Sequence, residues 1–163
     1  MIILPIRCLI IVNACAQTVS PDKLPATDFF VGSTPCDAFI KSILKIQADV
    51  TCEFIKWELS LYKNKNEDNS GTFELNALYG ASQPNTNGFI NGGKRIAAKG
   101  RYSISYGMRG NSKTKVYHLS EKSFQSSILL AEMDDNILHF IDSEKKFIVG
   151  NGGWGYVLNR IKQ

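Results

Sequence analysis

The residues of this chain that first invite a chemical reading are the glycines of "VGNGGWGYVLNR", 149–160. Gly150, Gly152 and Gly155 fit G-x-G-x-x-G, the spacing with which a strand–helix turn cradles a dinucleotide pyrophosphate. That chemistry needs a helix and a second strand after the glycines, with an acidic residue ~20 positions on. Only eight residues follow Gly155, reading Tyr-Val-Leu-Asn-Arg-Ile-Lys-Gln, and none is acidic. The glycines are read instead as a turn feeding a closing strand, with Trp154 packed on a neighbouring strand or plugging an end. "GFINGGKR", 88–95, has the same character. Ser42-x-x-Lys45 lacks the companion motifs of the acyl-transfer enzymes that use that spacing, and Ser120 and Lys122 miss it altogether. His118 and His139 lie in strand-like runs without convergent partners, which suits structural histidines better than metal ligands. Met108 and Met133 are single thioethers. No acid/base dyad, nucleophile elbow or metal triad stands out, so no catalytic residue, metal or cofactor is assigned.

The cysteines depend on how the chain begins. "MIILPIRCLIIVNACA", 1–16, has one basic residue, Arg7, an apolar run from Cys8 to Val12, and Ala14-Cys15-Ala16 as a small-residue cleavage pattern. The run is too short to span a bilayer. It is read as a signal peptide, either secretory or of the lipoprotein kind, in which Val12-Asn13-Ala14-Cys15 is a lipobox and Cys15 is acylated. The expected location is the periplasm, the outer membrane or the medium, with membrane attachment only through a lipid on Cys15. Of the four cysteines, Cys36 and Cys52 then remain for the folded part, and two cysteines in an exported domain most often form a disulfide. The chain carries a formal charge of +4. Without Arg7 the balance from Gln17 onward is +3, 18 basic residues against 15 acidic. The excess forms no stripe, and no nucleic-acid partner is expected.

At 163 residues the chain is long enough for one sizeable core. Residues 17–28 are polar and read as a linker, leaving 29–163 as a single domain. In "STPCDAFIKSILKI", 33–46, Thr34 suits an N-cap and Pro35 the first helical position. Asp37, Lys41 and Lys45 then form a polar stripe opposite Cys36, Phe39, Ile40, Ile43 and Leu44. This predicts one short helix near 35–46. Beyond it the period drops to two. Ile55, Trp57, Leu59 and Leu61 alternate with polar residues, as do Phe73, Leu75, Ala77 and Tyr79, and then Tyr102, Ile104 and Tyr106. Turn-forming clusters at 63–71, 80–93 and 107–113 separate these runs, and further strands are expected near 115–119, 127–133, 137–142 and 156–161. The pattern predicts a mainly β fold, an antiparallel up-and-down barrel or strongly curled sheet of about eight to nine strands. Its interior would hold Trp57, Leu59, Leu61, Phe73, Leu75, Tyr79, Tyr102, Ile104 and Tyr106, the candidate ligand-binding residues. Small barrels either fill with side chains or keep one ligand cavity.

Pro35-Cys36, then Cys52-Glu53-Phe54-Ile55-Lys56-Trp57 leading into a strand, resemble the amino-terminal domain of the NlpE-type envelope lipoproteins. Gly71-Thr72-Phe73-Glu74-Leu75 is similar to that family's second strand, and "NILHFID", 136–142, to its later hairpin. The likeness covers about half of the chain after the leader. It implies a lipocalin-like barrel tethered to the outer membrane and associated with copper resistance and surface sensing. Here fifteen residues, 37–51, separate the two cysteines, where the family has two. A Cys-x-x-Cys pair holds its sulfurs together locally for a soft metal or for redox cycling. Cys36 and Cys52 could meet only through tertiary structure, so a structural bridge is the expectation.

Three functions follow as expectations. The first is a non-catalytic envelope barrel that binds a small apolar or amphipathic ligand, or an envelope protein partner. The second is a stress or surface sensor that reports its own folding, disulfide or lipid state. The third is a hydrolase with a site assembled from loops. A cavity would favour the first, a filled barrel the second, and convergent titratable groups in a cleft the third.

Overall fold

β1 (Asp28–Pro35) runs antiparallel to β2 (Phe54–Asn64), and the chain then winds up and down through β3 (Glu67–Gly80), β4 (Lys94–Met108), β5 (Asn111–Ser120), β6 (Ile128–Asp134), β7 (Ile137–Ile141) and β8 (Val157–Arg160). In this computed structural model, which describes residues 27–162, β8 pairs back onto β1 and closes an eight-stranded antiparallel barrel. The mainly β architecture expected from the alternating runs is therefore the one formed. The expected leader with Cys15, and most of the expected linker, lie outside the described residues. Asp28, placed in that linker from sequence, is instead the first residue of β1.

The period of two decides which side chains fill the barrel. Trp57, Leu59 and Leu61 on β2 and Phe73 and Leu75 on β3 are all at most 2% exposed. Phe30, Leu119, Leu130, Phe140 and Leu158 join them from the other strands in one cluster. The interior over this stretch is filled by side chains. Gly71 takes an inward position on β3, where a side chain has no room. A Cβ there would lie 2.6 Å from Cε1 of Tyr102 and 2.2 Å from the Tyr62 carbonyl oxygen. Gly71→Ala is expected to destabilise the barrel by ~1–3 kcal/mol, the usual cost of overpacking. Urea unfolding checks this, and an unchanged midpoint would contradict it.

One end is closed by α1 (Ala38–Leu44), whose Ile40, Ile43 and Leu44 are buried as the helical stripe required. The 121–127 loop meets it there. Gln125 N donates to the Ile43 carbonyl at 2.9 Å, and Phe124 stacks toward Phe73 with ring centroids 6.3 Å apart. The start of this helix differs from expectation. Asp37, not Thr34, is the N-cap, and its Oδ1 accepts from Ile40 N at 3.1 Å. Thr34 and Pro35 continue β1, opposite Ile55 and Phe54. Strand pairing and a buried bond to Trp57 outweigh the local helix-start signal.

The turn expected at 63–71 is also much shorter, because β2 and β3 remain paired to Lys63↔Gly71 and beyond. The 107–113 cluster likewise shrinks to the residues between Met108 and Asn111. By contrast, 80–93 is a true connection, containing one 3-10 turn at Ile90–Gly92. Gly92 and Gly93 follow Asn91 there, all three at positive φ.

Candidate functional site at the barrel mouth

The end opposite α1 is open. Three hairpins, β2–β3, β4–β5 and β6–β7, form its rim together with the start of β1 and the end of β8. Inside this rim lies a cup of about 530 Å³. Its lining changes abruptly from the apolar interior below. Tyr102, Ile104 and Tyr106 enter from β4, Lys115 and Tyr117 from β5, Glu132 from β6, Arg160 from β8 and Asp28 from β1.

These charged residues sit on inward phases of their strands. Lys115 is in phase with Tyr117 and Leu119, Glu132 with Ile128 and Leu130, and Arg160 with Leu158. A charge turned inward is costly unless it is paired and hydrogen-bonded. Glu132 meets that demand twice. Its Oε1 accepts from Lys115 Nζ at 2.9 Å and its Oε2 from the Tyr117 hydroxyl at 2.8 Å. Arg160 pairs through Nη1 with Asp28 and lies over the Phe30 ring, 5.0 Å from its centroid. Its Nε is buried and has no hydrogen-bond partner among the described residues. On the rim, Lys63 pairs with Asp68 at 2.9 Å.

Protonation states in the cup follow from this packing. Burial first, and donation to Glu132 second, push the Tyr117 hydroxyl far above the ordinary phenol range. Burial and then Asp28 raise that of Tyr102. The bond to Glu132 raises the Lys115 ammonium. Around neutral pH both phenols are therefore neutral and Lys115 is charged. Tyr102 and Tyr117, each 6% exposed with centroids 5.9 Å apart, close the cup over the core beneath.

The nine residues assigned to the interior from sequence thus divide by height. Trp57, Leu59, Leu61, Phe73 and Leu75 belong to the packed core, and half-buried Tyr79 lies toward the α1 end beside Ile90 and Gly93. Tyr102, Ile104 and Tyr106 are at the mouth. Tyr106 is 54% exposed, unlike the buried residue expected. Its phase is inward, but β3–β4 pairing ends at Ser70↔Ser103, so Tyr106 stands above the wall. Sequence reasoning missed Asp28, Lys115, Tyr117, Glu132 and Arg160. Extending the alternations of Leu119 and Tyr117, of Ile128 and Leu130, and of Tyr156 and Leu158 by one more step would have marked Lys115, Glu132 and Arg160 as inward-facing.

Cys36 and Cys52 are bonded, with Cα atoms 5.6 Å apart. Cys36 precedes the cap of α1 rather than lying in its first turn, and its N donates to the Glu53 carbonyl at 3.1 Å. The glycine stretch 150–155 is a turn. Asn151 Oδ1 accepts from both Gly153 N and Trp154 N at 2.9 Å, and Trp154 stacks on Phe54 of β2 at 5.0 Å. Phe54 in turn stacks on Phe89, 4.4 Å away. The two glycine-rich loops therefore meet across one aromatic stack near the α1 end. Compared with family models, with curated proteins and with solved structures, the chain matches none.

Proposed function

We propose that this chain is a non-catalytic binding protein of the cell envelope that takes one small amphipathic molecule in the mouth of its barrel. The observation that carries this reading is the change of lining at the cup. An interior filled by apolar side chains gives way to paired charges held on inward strand positions around a space of about 530 Å³. Such a space has the dimensions of small-ligand sites, and its lining is mostly polar, with Ile104 and the rings of Tyr102 and Tyr117 as its apolar surface. A ligand would rest its apolar part on Tyr102, Ile104 and Tyr117 and its polar part among Arg160, Lys115 and their partners. A long chain threaded down the axis would have to displace Leu59, Leu61 and Phe73.

The envelope setting rests on the leader-like first sixteen residues and on the disulfide, a bond that persists in oxidising compartments. The likeness to NlpE-type lipoproteins supports the same setting, but not copper chemistry. Bonded Cys36 and Cys52 offer no thiolate to a soft metal. A second reading, a sensor of envelope redox state, is favoured by the filled interior and by the bond that fixes the entry to α1, the lid of the closed end.

Titration of the oxidised chain with a fluorescent short-chain fatty-acid analogue tests the ligand reading. Saturable uptake is expected, weakened about tenfold by Ile104→Trp, a loss of ~1.4 kcal/mol. Absence of saturable uptake, or uptake indifferent to Ile104→Trp, would remove the cup from consideration.

A further inference from the structure

Val116, Ala131 and Ile141 point away from the barrel interior, yet each is at most 1% exposed. Together with Met108 and Leu129 they form an apolar patch on the outer wall, separate from the core. The segment after β7 borders this patch, since Asp142 and Ser143 line one groove with Leu129 and Ile141. Lys145 Nζ donates to the Gly107 carbonyl on β4 at 3.1 Å. Between β7 and β4 lie β6 and β5, so the span is about 14 Å at ordinary strand spacing. That is too far for a lysine side chain rooted at the end of β7. The 142–146 turn must therefore fold back across the wall.

The turn is well built for this task. Asp142 Oδ1 accepts from Glu144 N and Lys146 N, both at 2.9 Å, and Lys145 adopts φ +60°. Beyond it Phe147 bridges to Ile141 and sets its ring edge-on to His139, 4.9 Å away.

His118 is the titratable group in this arrangement. It sits on β5 with Nε2 2.7 Å from Ser105 Oγ on β4, and its partner across on β6 is Leu129. Ser105, which holds His118, and Gly107, which holds Lys145, are two residues apart on β4, so the folded-back Lys145 brings its charge to the same stretch of wall. We infer that 142–149 is an acid-released strap, closed over the outer patch while His118 is neutral and loosened when His118 is charged.

A proton on His118 would place a second positive charge beside the Lys145 ammonium in a partly buried space. Burial first, and Lys145 second, hold the His118 pKa below its ordinary value. The closed form thus binds this proton less readily than the open one. Its stability is complete above the ordinary histidine pKa of 6.5 and declines as pH falls below it. The other histidine, His139, touches the strap through Phe147 rather than through a charge.

Amide hydrogen exchange of the oxidised full chain at pH 7.5 and pH 5, corrected for intrinsic rates, tests the strap. Protection at 145–148 is expected to fall several-fold at pH 5 in the parent protein. It should stay constant in His118→Gln, which keeps a partner for Ser105 without titrating, and fall as in the parent in His139→Gln. Lys145→Gln should lower protection at both pH values and raise the midpoint at which His118 titrates by NMR. Unchanged parental protection, or a pH response that survives in His118→Gln, would overturn the inference. Should that variant not fold, parental His118 titrating at or above 6.5 would overturn it, and a lower midpoint would support it.

Discussion

Trp57→Ala is expected to lower the unfolding free energy by ~3–5 kcal/mol, the range for deleting a large buried aromatic. Trp57 is 1% exposed at the centre of the interior, with the Phe140 ring tilted against it at 5.3 Å. Its removal empties space that neighbouring strands, each bonded on both sides, cannot collapse to fill. A polar loss is added. Trp57 Nε1 donates at 2.9 Å to Thr34 Oγ1, and Thr34 is 0% exposed. The hydroxyl keeps a bond to the Pro35 carbonyl at 3.1 Å, so the alanine variant leaves an acceptor without a donor rather than an isolated group. Thr34→Val is the cleaner companion, expected to cost ~1–3 kcal/mol by orphaning the buried indole N–H. Urea unfolding of both variants provides the check. A loss below ~1 kcal/mol for Trp57→Ala would mean that the interior is loosely filled. Mouth binding should be little altered in whatever fraction stays folded, because Trp57 does not line the cup.

The second large effect belongs to the disulfide. Replacing Cys36 and Cys52 together by alanine is expected to cost ~3 kcal/mol, the value for releasing a closed loop of about fifteen residues in the unfolded chain. That is a substantial part of the ~5–15 kcal/mol that holds a typical domain. The loss should be local in character. With the bridge gone, α1 keeps the Gln125–Ile43 bond, the Tyr156 hydroxyl on Asp37, and Lys41 Nζ on the carbonyls of Ala48 and Val50 at 3.0 and 2.8 Å. These contacts are partly exposed and cannot replace a covalent tie. Ile40, Ile43 and Leu44 should therefore uncover before the barrel unfolds. Thermal unfolding, with dye binding to apolar surface as a second probe, follows both events. Two thiols freely alkylated in the native oxidised protein, or an unchanged Tm in the double variant, would contradict the staple.

Sequence by itself determined the repeating parts of this molecule. A strict alternation such as Ile55, Trp57, Leu59 and Leu61 is satisfied only by a strand with one buried face. Several such runs with short connections leave an antiparallel barrel or a strongly curled sheet as the economical ways to bury them. The 80–93 loop was equally legible, because Pro84 has no N–H for a ladder and the Asn and Gly residues around it favour turns. The pairing of Cys36 with Cys52 followed from arithmetic once Cys8 and Cys15 were assigned to a leader.

Tertiary structure decided where each strand stops and what each inward position meets. Thr34 and Pro35 carry good local signals for a helix start, yet the register with Ile55 and Phe54 claims them for β1. Tyr106 has the phase of a core residue but outruns its neighbouring strand. Lys115, Glu132 and Arg160 look like ordinary surface charges when read along the chain. They become a paired ring only because β5, β6, β8 and β1 present them to one space. The strap is the extreme case, since nothing local in 142–149 indicates that Lys145 reaches β4. Side-chain period is a property of adjacent residues and survives in one dimension. Strand offset, pairing of opposite charges and coverage of an outer wall depend on residues separated by tens to more than a hundred positions, as Asp28 and Arg160 are. Closure of the barrel is what brings them together.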